Sequence, residues 1–136
     1  MGSVPTRIRE QVRRRALFRC EYCRIPESYH PLPRFHVEHI FSKKHGGSAE
    51  LSNLALACPE CNRKKGTIIG SRKHPESEFI RLFHPRVDVW IEHFEFNWAI
   101  IHPKTDIGEI TSKMLGFDDD FRITFREYLM LLGVYP

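Results

Sequence analysis

The apolar positions change spacing along this chain, and each change predicts an element. Over residues 6–17, Ile8, Val12 and Ala16 recur every fourth residue, as on one face of a helix, and Thr6 is placed to cap it. Residues 24–33 contain Pro26, Pro31 and Pro33 and read as loop. Residues 35–40 alternate, which predicts a strand with Phe35 and Val37 on one face and His36 and Glu38 on the other. Glu38 and His39 would then point apart unless the strand ends or twists near His39. Residues 51–57 supply a return strand with Leu54 and Leu56 inward, and residues 43–47 a flexible, basic connection between the two. Pro59 suits the first turn of a helix that runs to about Lys65, with Gly66 just past its end. Strand, loop, strand and helix make a ββα unit.

The second half has a different texture. Residues 67–76 are polar and read as loop, while residues 79–83, 89–96 and 98–101 are rich in β-branched and aromatic side chains and read as strands. Two amphipathic helices follow, over 105–115 and 119–132, with Asp118, Asp119 and Asp120 where negative charge suits a helix N-terminus. Phe121, Phe125, Tyr128, Leu129 and Leu132 read as the stripe that packs into the core. The fold class is α+β: a ββα core over about 17–66, a basic N-terminal helix, and an extension over about 67–136 with strands and two helices. At 136 residues the chain reads as one domain. Its 41% apolar share supports a modest core, so a metal staple would matter.

Charge sharpens the picture because it is unevenly placed. The net charge is +4, but residues 1–73 hold 15 Lys/Arg against 6 Asp/Glu, and residues 74–136 hold 6 against 11. A basic half carrying the ββα unit fits a nucleic-acid partner, with Arg7, Arg9, Arg13, Arg14 and Arg15 of the first helix drawing on the phosphate backbone. The plain alternative is a set of solvated helix faces. No apolar run approaches the roughly 20 residues that span a bilayer, and the basic start lacks a secretory pattern. Gly2 is discounted as a myristoylation site because Arg7 and a helical pattern follow at once. The expectation is a soluble, cytoplasmic protein without a membrane partner.

The cysteines carry the most specific signal. Cys20-Glu-Tyr-Cys23 and Cys58-Pro-Glu-Cys61 are two C-x2-C knuckles separated by 34 residues, and they use all four cysteines of the chain. Two-residue gaps let both sulfurs of a knuckle reach one tetrahedral ion, so Cys20, Cys23, Cys58 and Cys61 are the expected zinc ligands. Disulfides are the rival, weakened by the absence of a secretory signal. Four thiolates leave no open position, which makes this zinc structural.

Between the knuckles lie Glu38-His39 and Asn53, and Asn62 follows Cys61 directly. This arrangement resembles the HNH nuclease family, in the subgroup whose ββα-metal fold is pinned by a four-cysteine zinc. Asn62 stands where the family name has its last His. The likeness extends more loosely through Leu82-Phe-His-Pro-Arg86 and Trp90-Ile-Glu-His-Phe94. It implies a metal-dependent endonuclease on double-stranded DNA, with His39 as general base, Asn53 orienting it, and Glu38 and Asn62 holding one catalytic divalent cation, Mg²⁺ or Mn²⁺. The products would carry 5′-phosphates. His36, Lys43, Lys44, Arg63, Lys64 and Lys65 are the candidate phosphate contacts, and His84, Arg86 and His93 have only structural roles assigned. The rival readings are a zinc-stabilised nucleic-acid-binding module without turnover, and a ribonuclease.

Overall fold

A helix over Thr6–Arg15 (α1) buries Val12 and Ala16 and half-buries Ile8, the face that the spacing of four predicts. Pro5, not Thr6, occupies the N-cap position, and no side chain caps the helix. The computed structural model in which this is seen describes residues 4–32 and 34–136, so Gly2 and Pro33 lie outside the described residues. Two of the arginines read as free phosphate contacts are committed inside the fold. Arg13 pairs with Glu27 at 2.8 Å, and Glu27 also accepts from the Phe35 amide at 2.7 Å. Arg15 donates to the Leu51 and Leu54 carbonyls at 3.0 and 2.6 Å. These bonds seat α1 against the sheet that follows.

That sheet is the hairpin of β1 (His36–His39) and β2 (Leu54–Ala57), antiparallel, with His36 opposite Ala57 and His39 opposite Leu54. β1 ends at His39, as the need to bring Glu38 and His39 together requires. All four residues of β2 are buried, because α1 and the next helix, α2 (Pro59–Lys65), both pack on it. Pro59 opens α2, where its missing N–H costs nothing, and Gly66 closes it with φ +49°.

The connection between β1 and β2 is built, not loose. Lys43–His45 form a 3₁₀ turn and Gly46 follows with φ +95°. A Cβ at Gly47 would run into the Phe41 carbonyl oxygen and come within 2.9 Å of Asn53 Nδ2. Only a glycine lets the loop close that tightly.

The extension adds β3 (Gly70–Ser71) and β4 (Ile80–Arg81), a single helical turn α3 (Trp90–His93), the hairpin β5 (Phe94–Asn97) and β6 (Ile100–Pro103), then α4 (Asp106–Leu115) and α5 (Asp120–Leu131). The segment read as one strand over 89–96 divides into α3 and β5, and the hairpin turns at Trp98 with φ +56°. Thr105 caps α4 by accepting from the Gly108 amide at 3.0 Å. Trp90, Phe94, Phe83 and Phe117 pack their rings into one aromatic cluster. The order ββα plus a mixed extension is an α+β fold.

The orientation of α5 reverses the sequence reading. Of the five residues assigned to its core stripe, Leu129 alone is buried; Phe121 and Tyr128 are 57% and 56% exposed, Leu132 is exposed and Phe125 is partly buried. Arg122 and Arg126 occupy the inner face instead. Arg126 donates to the Ala99 and Phe117 carbonyls at 2.7 and 2.6 Å and to Asp118 at 2.8 Å. Satisfied by strong acceptors, a guanidinium can be buried, and its anchoring fixes which way the helix faces. Leu129→Ala should therefore cost about 2–5 kcal/mol in urea unfolding, and Tyr128→Ser less than about 0.5 kcal/mol; similar losses for the two would contradict this orientation.

Candidate functional site

The two knuckles meet in the interior. The sulfurs of Cys20, Cys23, Cys58 and Cys61 all lie within 4.8 Å of one another, and all four cysteines are buried and unbridged. Backbone N–H groups of Tyr22 and Cys23 point at the Cys20 sulfur from 3.4 and 3.5 Å, and that of Cys61 at the Cys58 sulfur from 3.4 Å. Such donors favour the thiolate form.

Arg122 gives an independent test of whether a metal fits here. It is 2% exposed, its Nη2 lies 3.1 Å from the Cys61 sulfur and 3.9 Å from that of Cys58, and its Nη1 donates to the Leu115 and Gly116 carbonyls. No carboxylate pairs with it among the described residues. A buried guanidinium without a counter-charge is strongly destabilising. Burial works against its charge, yet Cys61, Cys23 and Cys58 hold its pKa well above the ordinary value. The cation therefore calls for thiolates, and four thiolates call for a divalent ion. The cluster fits structural zinc.

The extension grips the first knuckle from the other side. Trp90 Nε1 donates to the Tyr22 carbonyl at 2.8 Å, Tyr135 to the Cys23 carbonyl at 2.6 Å, and Arg86 pairs with Glu21. Glu21 in turn accepts from the Leu56 amide at 2.9 Å, tying the knuckle to β2. Of the three tail residues read as structural, Arg86 acts here; His84 accepts from the Arg86 amide and His93 bonds Thr105.

Beside the knuckles, an open cleft of about 340 Å³ is lined by Glu38, His39, Ser42, Lys43, Lys44 and Asn62. Glu38 is buried, with Oε1 2.9 Å from Lys65 Nζ and Oε2 2.5 Å from the Tyr22 hydroxyl. Burial pushes its carboxyl upward, opposed by Lys65 and Tyr22. Burial and then Glu38 raise the Tyr22 hydroxyl far above its ordinary value, so it stays a donor. Lys65 is 1% exposed and also donates to the His39 and Ile40 carbonyls at 3.0 and 2.9 Å. Its assignment as a phosphate contact is corrected: the ammonium is spent inside, on the carboxylate and the end of β1.

His39 is half-buried. Its Nε2 is sealed without a hydrogen-bond partner, which leaves Nδ1 as the nitrogen a water can approach. Burial, then Lys43 and Lys65, lower its pKa from the ordinary histidine value, favouring the neutral ring. Asn53 stands outside the cleft. Its Oδ1 accepts from the Phe41 amide at 2.8 Å and its Nδ2 donates to the Phe41 and Ser48 carbonyls at 2.9 and 2.7 Å. It clips the loop that leaves His39 and does not touch the imidazole.

A family model described as HNH endonuclease matches residues 20–67. This segment is similar to HNH endonucleases. No curated protein and no solved structure matches the chain. The HNH match begins at the first knuckle and ends just past α2, so it takes in the whole cysteine cluster and cleft.

The remaining candidates fall in three places. Lys43, Lys44 and Arg63 are exposed, the two lysines at the cleft of the HNH-like segment. Lys64 pairs with Asp119 at 3.3 Å. His36 is exposed but lines a neighbouring groove beside α1. Tyr22 and Arg122 went unread in the sequence: one lies inside a cysteine knuckle, the other 61 residues beyond Cys61, and neither follows a local pattern. Metal analysis should return about one zinc per chain. In chelator competition Arg122→Met is expected to weaken zinc binding about 10–100-fold, while Asn62→Ala leaves it unchanged; equal affinities would remove Arg122 from the metal centre.

Proposed function

We propose that the HNH-like segment is a metal-dependent endonuclease that hydrolyses phosphodiester bonds in double-stranded DNA, with His39 as general base. The observation that carries this reading is the cleft itself. A neutral-leaning imidazole with one reachable nitrogen stands beside a carboxylate and an amide, and its backbone carbonyl is held by Lys65. A base of this kind removes the proton from water as the oxygen attacks phosphorus, and contributes about 10²–10⁴-fold to rate. The water proton passes to Nδ1 as the new P–O bond forms, the bond from phosphorus to the 3′ oxygen breaks, the departing oxygen takes a proton from solvent, and the cut ends carry a 5′-phosphate and a 3′-hydroxyl.

Glu38 and Asn62 would hold the divalent cation. Each Glu38 oxygen already accepts one bond, but a carboxylate has about four acceptor sites, so two remain, and its edge reaches the cleft that Asn62 also lines. One carboxylate and one amide oxygen suit Mg²⁺ or Mn²⁺, which keep several waters. When bound, such an ion neutralises charge on the phosphate and on the leaving oxygen. Tyr22 and Lys65 hold the Glu38 carboxylate in one rotamer, and Asn53 clips the loop so that the turn after His39 keeps its path.

The occupied state of Glu38 is also the observation that favours the second reading, a binding module without turnover. A plasmid assay separates the two. With Mg²⁺ or Mn²⁺ the protein is expected to nick or linearise plasmid, and His39→Ala to slow this about 10²–10⁴-fold with DNA affinity retained. Binding without metal-dependent cleavage would establish the module, and RNA cut in preference to DNA would make the enzyme a ribonuclease.

A further inference from the structure

A second groove, of about 280 Å³, runs between α1 and the approach to β1, lined among others by Arg9, Arg34, His36 and Val37. Val37 also lines the His39 cleft, so the two depressions meet over one residue of β1. We propose that this groove is a phosphate track, in which Arg9 and Arg34 hold the sugar–phosphate backbone of the nucleic acid beside the bond that His39 addresses. The proposal rests on the endonuclease reading for its relation to that bond, and on the groove's own charges for its existence.

The charges point to an anion. Arg9 donates its Nε to the Val4 carbonyl at 3.1 Å, which fixes the stem and leaves the terminal nitrogens to the groove. Among the described residues neither Arg9 nor Arg34 has a carboxylate partner. Arg13, in the same wall, is already neutralised by Glu27. Glu10, the acid on the wall, lies 3.7 Å from both Arg13 and Arg14, so it does not cancel the other two. Elsewhere Arg81 pairs with Asp88, Lys73 with Asp106 and Arg126 with Asp118, while Arg72, Lys104 and Lys113 have no acid partner among the described residues but do not share a groove. On the far side of His39, Lys43 and Lys44 are likewise exposed without an acid partner among the described residues. Unpaired cations thus stand at both ends of the cleft.

The dimensions suit a polyanion, not a single phosphate. At about 3.3 Å per residue along β1, His36 lies about 10 Å before His39, and Arg34 lies two residues farther back along the chain. Phosphates succeed one another every 3.4 Å of duplex axis on each strand and farther apart along the winding backbone, so the track holds more than one phosphate. Planar guanidinium groups match phosphate oxygens two at a time. Nothing in the groove reads base edges, so the contribution is to grip and register, not to sequence choice.

The test separates binding from turnover. In a His39→Ala background without divalent metal, binding of a fluorescent 30-base-pair DNA duplex is followed against salt. Neutralising two phosphates accounts for a slope of about 1.8 in log Kd against log salt. Arg9→Gln with Arg34→Gln should lose about that much slope and on the order of tenfold in affinity at 0.15 M salt. Arg34→Lys should keep most of it, and Arg72→Gln, on the exposed turn near β3, should keep all of it. A double variant with unchanged slope and affinity overturns the track even if plasmid is cleaved. A reduced slope in a protein that cuts nothing upholds the track and overturns the endonuclease reading.

Discussion

Four buried thiolates must be balanced, and most of this structure follows from how they are. A divalent ion with four thiolates carries two net negative charges in a site that water does not reach. Arg122 supplies one compensating charge, and its position is fixed twice over, by Cys61 on one side and by the Leu115 and Gly116 carbonyls on the other. Those carbonyls end α4, and Gly116 turns the chain with φ +62°. The turn between α4 and α5 is therefore locked to the metal centre. Once Arg122 faces inward, Arg126 follows it one turn later, and Phe121 and Tyr128 are left on the outer face. An aromatic stripe that propensity would bury is turned out by electrostatics.

The same centre reaches the cleft through both knuckles. Cys58 caps α2 and Lys65 ends it, so one helix of about 10 Å carries a thiolate at one tip and the Glu38 partner at the other. Tyr22 sits between Cys20 and Cys23, and its hydroxyl closes on the second Glu38 oxygen. The four-cysteine cluster thus sets the reach of the two donors that hold Glu38, although no cysteine lines the cleft. Asn53 performs the corresponding task for the loop. It replaces three missing backbone partners in a segment that makes few regular bonds of its own, and Gly47 lets it come close enough to do so.

What could be read from the sequence was what depends on near neighbours. The paired knuckles, the alternation before His39, Pro59 opening a helix and Gly66 closing it each express local geometry, and each is found where it was read. The acid–His pair and Asn62 do line one cleft. What stayed hidden depends on partners far along the chain. Lys65 looks like any helix-end cation until Glu38, 27 residues earlier, is seen beneath it. A buried arginine has no sequence pattern, since it is favourable only where its acceptors happen to converge. Residues 43–47 read as flexible because glycine and lysine are common in mobile loops, while the clip that holds them comes from Asn53.

Charge asymmetry between the halves takes on a different meaning once the pairs are known. Five of the extension's eleven carboxylates are turned to cations: Asp88 to Arg81, Asp106 and Glu109 to Lys73, Asp118 to Arg126, and Asp119 across to Lys64 on α2. Pairs of this kind at the surface add little stability, but they remove charge from the outer field. Arg9, Arg34, Lys43 and Lys44, which have no acid partner among the described residues, stand where α1, β1 and the loop after His39 come together. The net charge of +4 is small, so a polyanion would be drawn less by the protein as a whole than by the unpaired cations that border the cleft.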